Sequence, residues 1–333
     1  MLEVIAPGPL TTVQDLGRPG FRALGVPVAG AADADALRVA NLLVGNPEHV
    51  AGLEFTLTGP TLHFDGPRVI ALAGGDLEAS IDGVPVPAWR PVALAAGSEL
   101  RIGRILRGAR GYLAISGGIN TRPVMGSRST DLRCHFGGHH GRALKAGDRL
   151  PLGRSESARG RALRRRRAES RQRFLAANWW VAATHDLRGD VAWLHVLPGP
   201  DIAALNPRVL RILRSGTWIV SNASDRMGLR FEGPEVPRVP VPEQISAAVL
   251  PGTVQLTPDG SPILLGVDAQ TTGGYPRVAQ VVRADLGRAM QLKPGDRVRP
   301  VLVDEEAAEG LRRARASELE RMRFAIATRL AEE

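Results

Sequence analysis

Cysteine is almost absent from this 333-residue chain: Cys134 stands alone, so no internal disulfide can form and a reducing compartment is expected. Lysine is nearly as scarce, with Lys145 and Lys293 the only two among 43 basic residues. Without Gly-Lys-Ser/Thr no Walker-type phosphate loop can be written. Both lysines lie in Leu-Lys-X-Gly-Asp turns, which gives Schiff-base chemistry no desolvated amine to use. No GxSxG elbow occurs. Aromatic residues make up 4% and do not alternate with basic ones, as a base-stacking platform would require. No apolar run approaches the roughly 20 residues that cross a bilayer. The start, Met1-Leu2-Glu3-Val4, lacks the basic segment and apolar block of a secretory signal, and the expected location is the cytoplasm.

What is present is a folded protein rich in turns: 44% hydrophobic residues with 38 Gly and 25 Pro, a mix that favours short strands over long helices. The length points to two domains. The net charge of +9 comes from the stretch between Arg154 and Arg173, which contains Arg164-Arg165-Arg166-Arg167, and this reads as a solvated linker rather than a nucleic-acid site. Short apolar runs at 53–57, 61–64, 69–73, 77–81, 92–94, 100–102 and 111–115 alternate with turns, as in a barrel or sandwich. Asp33 is placed to cap a helix that directs Leu37, Ala40, Leu43 and Val44 at a core and ends at Gly45.

Three pieces of the first half recur in order in the second. Ile5-Ala6-Pro7-Gly8-Pro9 returns as Val196-Leu197-Pro198-Gly199-Pro200, Gly59-Pro60 as Gly233-Pro234, and Lys145-Ala146-Gly147-Asp148-Arg149 as Lys293-Pro294-Gly295-Asp296-Arg297. Asn206-Pro207 opens a second helix before its Gly-Pro turn. The pattern predicts a duplication, with common turn dipeptides as the alternative: a first domain over 1–153, a basic linker over 154–190 and a second domain over 191–303. Over 304–333, Leu311, Leu319, Met322, Ile326 and Leu330 fall on one side at helical spacing. That predicts an amphipathic helix packed on the second domain or on a partner protein, rather than on a membrane.

The stretch that stands out chemically is Gln270-Thr271-Thr272-Gly273-Gly274-Tyr275-Pro276, a glycine-marked tight turn between the runs 263–267 and 278–282. Its amide, hydroxyls and phenol suit a small polar ligand or an oxyanion, the other reading being a polar hairpin loop. Further polar concentrations are Gln14-Asp15 with Arg18, Arg128-Ser129-Thr130-Asp131, Ser224-Asp225-Arg226, Glu243, Gln255 and Asp268. Arginines of such a set would bind a carboxylate or phosphate, and a desolvated carboxylate would move a proton. Cys134-His135-Phe136-Gly137-Gly138-His139-His140 offers a thiolate and imidazoles but no complete set of four ligands, so ordered turn histidines are expected there and no metal.

Eight of these motifs, in order from Val4 to Val303, resemble the family of 5-oxoprolinase C subunits, also called allophanate hydrolase subunit 2, KipA-like or biotin-dependent carboxyltransferase. They are Thr12 to Gly20, Ala29 to Asp33, Ala40 to Asn46, Leu53-Glu54, Gly126 to Asp131, Ser224 to Gly228, Gly252 to Gln255 and Gln270 to Pro276. The resemblance implies a mainly β fold of two related cyclophilin-like β-barrel domains with few short helices and a C-terminal helix. It implies partners, the 5-oxoprolinase A subunit and a KipI-like B subunit, which together with this chain open 5-oxoproline to glutamate with ATP. Two alternatives follow from the same family: a carboxyltransferase receiving carboxybiotin for a urea-like substrate, or a non-catalytic KipA-like regulator. Neither a biotin-bearing Met-Lys-Met turn nor a region of ATP-grasp length is present. Ala29, where relatives are expected to carry serine, and the basic linker are departures. By position, Asp15, Arg18 and Glu243 are the expected catalytic residues. Gln14, Arg128, Asp131, Gln255, Gln270, Thr271, Thr272 and Tyr275 are the expected substrate contacts.

Overall fold

The computed structural model describes residues 1–154, 158–170, 172–236 and 245–332. The protein is mainly β, and its chain divides into two units. Met1–Arg18, Ala29–Asp186 and Leu319–Glu333 form the first; Pro19–Val28 and Leu187–Glu318 form the second. Among the described residues no helix is long and apolar enough to cross a membrane.

The first unit is built on a ten-stranded sheet. Its strands run in the order Phe174–Ala176, Val92–Leu94, Arg68–Ile81, Ser98–Ile115, Thr61–Phe64, Leu2–Ala6, Arg149–Leu150, with Thr11–Gln14 joined through Gly52–Thr56 and with Val84–Pro85 on Arg68–Ile81. The runs expected separately at 69–73 and 77–81 are one strand, as are those at 100–102 and 111–115. The glycines between them bend the ladder without ending it. Register shifts fall at Gly74/Asp76, Asp76/Leu77 and Leu77/Ala79, and a Cβ on Gly74 or Gly75 would lie 2.4 Å from a carbonyl oxygen of the neighbouring strand.

Side-chain alternation along Arg68–Ile81 separates two cores. Ile70 and Leu72 face a cluster with Leu2, Phe55, Phe64 and Leu113; Val69, Ala71 and Ala73 face helix α1, Ala34–Leu43. Alanines on that face let the helix sit close. As its sequence predicts, α1 is capped by Asp33, whose side chain accepts from the Ala36 N–H at 3.1 Å, and it buries Leu37, Ala40 and Leu43 completely.

The stretch 154–190, expected as a linker, carries helix α2, Ala158–Ser170, and the strand Phe174–Ala176 paired to Val92–Leu94. Leu163 of the basic helix is buried in the same cluster as α1.

The second unit is a closed seven-stranded barrel: Val191–Pro198, Arg277–Val281, Thr253–Leu256, Pro262–Leu265, Gly228–Glu232, Trp218–Val220, Arg297–Leu302. It closes through a parallel pairing of its first and last strands, Val191 to Val196 against Arg297 to Leu302. Helix α3, Pro207–Ser215, opens as read from the sequence, with Pro207 in its first turn and the Asn206 side chain accepting from the Arg208 N–H at 2.8 Å. A short helix α4, Leu286–Ala289, precedes the last strand.

The repeated turns match locally. The Lys145 and Lys293 N–H groups donate to Asp148 and Asp296 at 2.7 and 2.9 Å, and Gly147 and Gly295 both hold positive φ, +84° and +90°. The tail is helix α5, Glu305–Glu332. From Leu319 onward its apolar stripe packs in the first unit, not on the second domain as expected: Ile326 and Leu330 are buried in the cluster of α1, with Leu319 and Met322 against it.

Candidate functional site

In the first unit the Asp15 carboxylate is a hub. Oδ1 accepts from the Gly17 N–H at 2.8 Å and from the Ser127 and Ser129 hydroxyls at 2.6 Å each; Oδ2 accepts from the Arg128 N–H at 2.5 Å. Two loops far apart in sequence are thereby fastened to each other. The Arg18 guanidinium is 1% exposed; it donates to the Ser129 carbonyl oxygen and lies 4.7 Å from the centre of the Phe136 ring. Gly137 is required beside it, because a Cβ there would meet Ser129 O at 2.1 Å and the Arg18 side chain at 3.0 Å.

Asp15 and Arg18, expected as catalytic residues, hold loops together in this geometry: Asp15 accepts from four donors and the Arg18 guanidinium is covered. The Arg128 side chain turns away to Asn120 Oδ1 at 2.9 Å, leaving only its backbone in the hub. Gln14 donates to Thr12 Oγ1 and Thr130 O at 3.1 and 3.2 Å, while Asp131 Oδ1 caps the turn N–H groups of Arg133 and Cys134 at 3.1 and 2.9 Å. Two buried acceptors of this cluster, Gln14 Oε1 and Asp131 Oδ2, have no hydrogen-bond partner among the described residues.

The histidines after Cys134 are turn residues. His135 and His140 hold positive φ, and His139 lies 3.4 Å from Asp148. Among the described residues the one group with metal-ligand spacing is Glu3, His63 and Asp65. Asp65 there already faces two cations, Arg149 at 3.0 Å and the Met1 amine at 3.7 Å.

In the second unit the 270–276 stretch is not the tight turn its glycines suggest. Pro262–Leu265 and Arg277–Val281 each pair with Thr253–Leu256 and not with one another, so the loop crosses over the end of that central strand. Thr272–Gly273 adds a short strand to Ala247–Ala248, and the Val249 N–H donates to Thr271 O at 3.0 Å. Gly273 serves close approach: a Cβ would lie 2.6 Å from Gln255 Nε2, which holds Tyr275 O at 3.1 Å. Gln255 is therefore a buried support of the loop. The side chains of Gln270, Thr271, Thr272 and Tyr275 make no hydrogen bond among the described residues, and Tyr275 is 44% exposed. Glu243 lies outside the described residues.

Sequence reading missed one residue, Arg22, and the partners of several acids and arginines it had named. Arg22, on the 19–28 segment that belongs to the second unit, donates to the Val249 carbonyl oxygen and so stands beside the loop. Arg226 and Asp268, two residues before the loop, form a buried two-point ion pair at 2.7 and 3.0 Å. In the first unit, Glu54 Oε2 accepts from the Tyr112 hydroxyl at 2.9 Å and the Ala32 N–H at 2.8 Å, and Asp33 Oδ1 lies 3.2 Å from His185 Nε2. Burial, with the carboxylates of Glu54 and Asp33 nearby, pushes the Tyr112 phenol well above its ordinary value, which keeps it a donor. A lone acid between Leu53 and Phe55 in an apolar strand was the available signal, since such a charge demands a buried partner.

Comparison with known proteins bears on this chain over nearly its whole length. Residues 24–301 match the model of the carboxyltransferase domain, subdomain A and B. The chain is 40% identical over 296 residues to the 5-oxoprolinase C subunit of Escherichia coli, covering 89% of each chain, and 35% identical over 331 residues to the Haemophilus influenzae protein of the same name, covering 97% and 98%. The crystal structure of Kluyveromyces lactis urea carboxylase superposes with a TM-score of 0.84 at 28% identity, covering 96% of this chain but 29% of that one. The chain thus corresponds to under a third of that enzyme and to nearly all of the two bacterial proteins. With its barrel, its hub and its crossing loop in place, the chain belongs to the carboxyltransferase-domain family that contains the 5-oxoprolinase C subunits.

Proposed function

We propose that this chain is the C subunit of an ATP-dependent 5-oxoprolinase that acts in the cytoplasm, joining an A subunit and a KipI-like B subunit to open 5-oxoproline to glutamate. The observation that carries the reading is identity: the chain is 40% identical to the E. coli protein over 296 residues, against 28% to the urea carboxylase. A lactam needs donors for its carbonyl oxygen and an acceptor for its N–H. The Gln270 amide, the Thr271 and Thr272 hydroxyls and the Tyr275 phenol offer that set with no hydrogen-bond partner to displace among the described residues. Donors fixed on a supported loop stabilise the charge that grows on the opening amide. Arg22, held beside the loop through Val249, is the cation placed for the substrate carboxylate.

Lys145 and Lys293 lie in Lys-X-Gly-Asp turns, where their backbone N–H groups donate to Asp148 and Asp296, and neither belongs to a Walker-type phosphate loop.

The test is reconstitution of the full chain with its candidate A and B partners and measurement of 5-oxoproline-dependent ATP hydrolysis. Arg22→Met, Thr271→Val and Tyr275→Phe should each lower turnover roughly 10- to 1,000-fold while leaving the unfolding midpoint in place; unchanged turnover removes them from the reaction. The family match and the urea carboxylase superposition favour a second reading, carboxyl transfer from carboxybiotin to a urea-like substrate. Carboxybiotin-dependent turnover without lactam dependence would select it. A complex that forms and turns over neither substrate would select the KipA-like regulator.

A further inference from the structure

Among the described residues, the side chains of the second unit leave its barrel unfilled. A cavity of about 100 Å³, open to solvent on one side, is walled by Leu194, Phe231, Val254, Ala279 and other barrel residues and roofed by Leu210 and Leu213 of α3. Protein interiors close to near-crystalline density, and an engineered apolar void of about 150 Å³ takes up benzene, so a space of this size is large enough for a ligand group. Its lining has one charged member, Arg214, in the last turn of α3. Arg214 is exposed and has no ion-pair partner among the described residues. Arg208 and Arg211, also exposed, precede it at three-residue spacing, so the same face of α3 is cationic along its length.

We propose that this cavity is a binding site for a small aliphatic monocarboxylate, with the alkyl chain in the barrel and the carboxylate on the Arg214 guanidinium. The charge selects the head group: an anion gains a planar two-donor partner, and an ammonium is repelled. The wall selects the tail. A lactam or a ureide would bury its N–H and C=O against Leu, Val and Phe with nothing to pair them, which excludes the substrates considered above. The site is therefore separate from the 270–276 loop, and it stands whether or not the chain belongs to a 5-oxoprolinase.

Isothermal titration of the full chain with the straight-chain series propionate to octanoate, with hexanol and hexylamine as controls, tests the assignment. Affinity should rise roughly three- to fourfold for each added methylene until the cavity is full, at about four to six carbons, with hexanol weaker than hexanoate and hexylamine not binding. Arg214→Gln, on an exposed position that leaves the core intact, should weaken hexanoate about tenfold and leave hexanol unchanged. Ala279→Leu, which fills the cavity, should abolish both. Absence of saturable binding by every carboxylate at millimolar concentration, or equal affinity in the wild type and both variants, overturns the proposal.

Discussion

At the scale of single residues, chemistry that looks catalytic in sequence can be spent on holding loops. Asp15 illustrates this, with four donors on its two oxygens. Asp15→Asn puts an amide where those donors converge, and the expected cost is about 2–4 kcal/mol, read as a lowered urea midpoint with an unchanged slope. Asp148 permits a test with pH. Hydrogen bonds from the Arg142 guanidinium, both at 2.7 Å, and then the Lys145 N–H hold its carboxyl well below the usual range, outweighing desolvation. A folded pKa below the unfolded one contributes stability above about pH 4, and that contribution is lost as pH falls through the lower, folded value. Arg142→Met should therefore be less stable than the wild type at pH 7, and the difference should shrink as denaturation is repeated from pH 4 towards 2. The positions of Asp15 and Arg18 were legible, because charged residues in Gly/Pro-punctuated loops are conspicuous. Their partners were not, since Ser127, Ser129 and Phe136 reach them across more than a hundred residues of chain.

At the scale of elements, caps and periodicity were sound guides and strand ends were not. Asp33 and Asn206 start their helices as read, because capping is decided within four residues. The 14- and 18-residue strands were read as four because glycine signals a break locally, while the ladder between them tolerates bulges. The stripe of α5 was visible, but its partner was not. Ile326→Ala should cost about 2–4 kcal/mol in thermal or urea unfolding, since Ile326 is 1% exposed in the α1 cluster; a neutral result would mean that α5 does not dock there. The crossing loop depends on Gly273. Gly273→Ala drives a Cβ into Gln255 Nε2 at 2.6 Å, and the expected outcome is a drop in turnover by the reconstituted complex of at least tenfold (~1.4 kcal/mol) with the unfolding midpoint within 1–2 °C of wild type, roughly 0.5 kcal/mol or less. Retained turnover would show that loop geometry is not limiting.

At the scale of the whole molecule, the chain covers nearly all of a bacterial 5-oxoprolinase C subunit, and the proposed activity requires partners. Mixed with its candidate KipI-like partner, it should elute from size exclusion as a larger species; elution at the position of the free chain with every candidate would sink the heteromeric reading. The sequence by itself determined the β class, the helix starts, the paired Lys-X-Gly-Asp turns and the family, all of which depend on neighbours along the chain or on ordered motifs. Only the tertiary structure decided that residues 19–28 belong with the second unit, that the end of α5 belongs with the first, that Asp15 is a fastener, and that the barrel holds an apolar void beside Arg214. The physical reason is that local conformation follows from short-range sterics and capping, whereas which polar atoms are left over, and which spaces stay empty, depends on contacts between residues far apart in the chain.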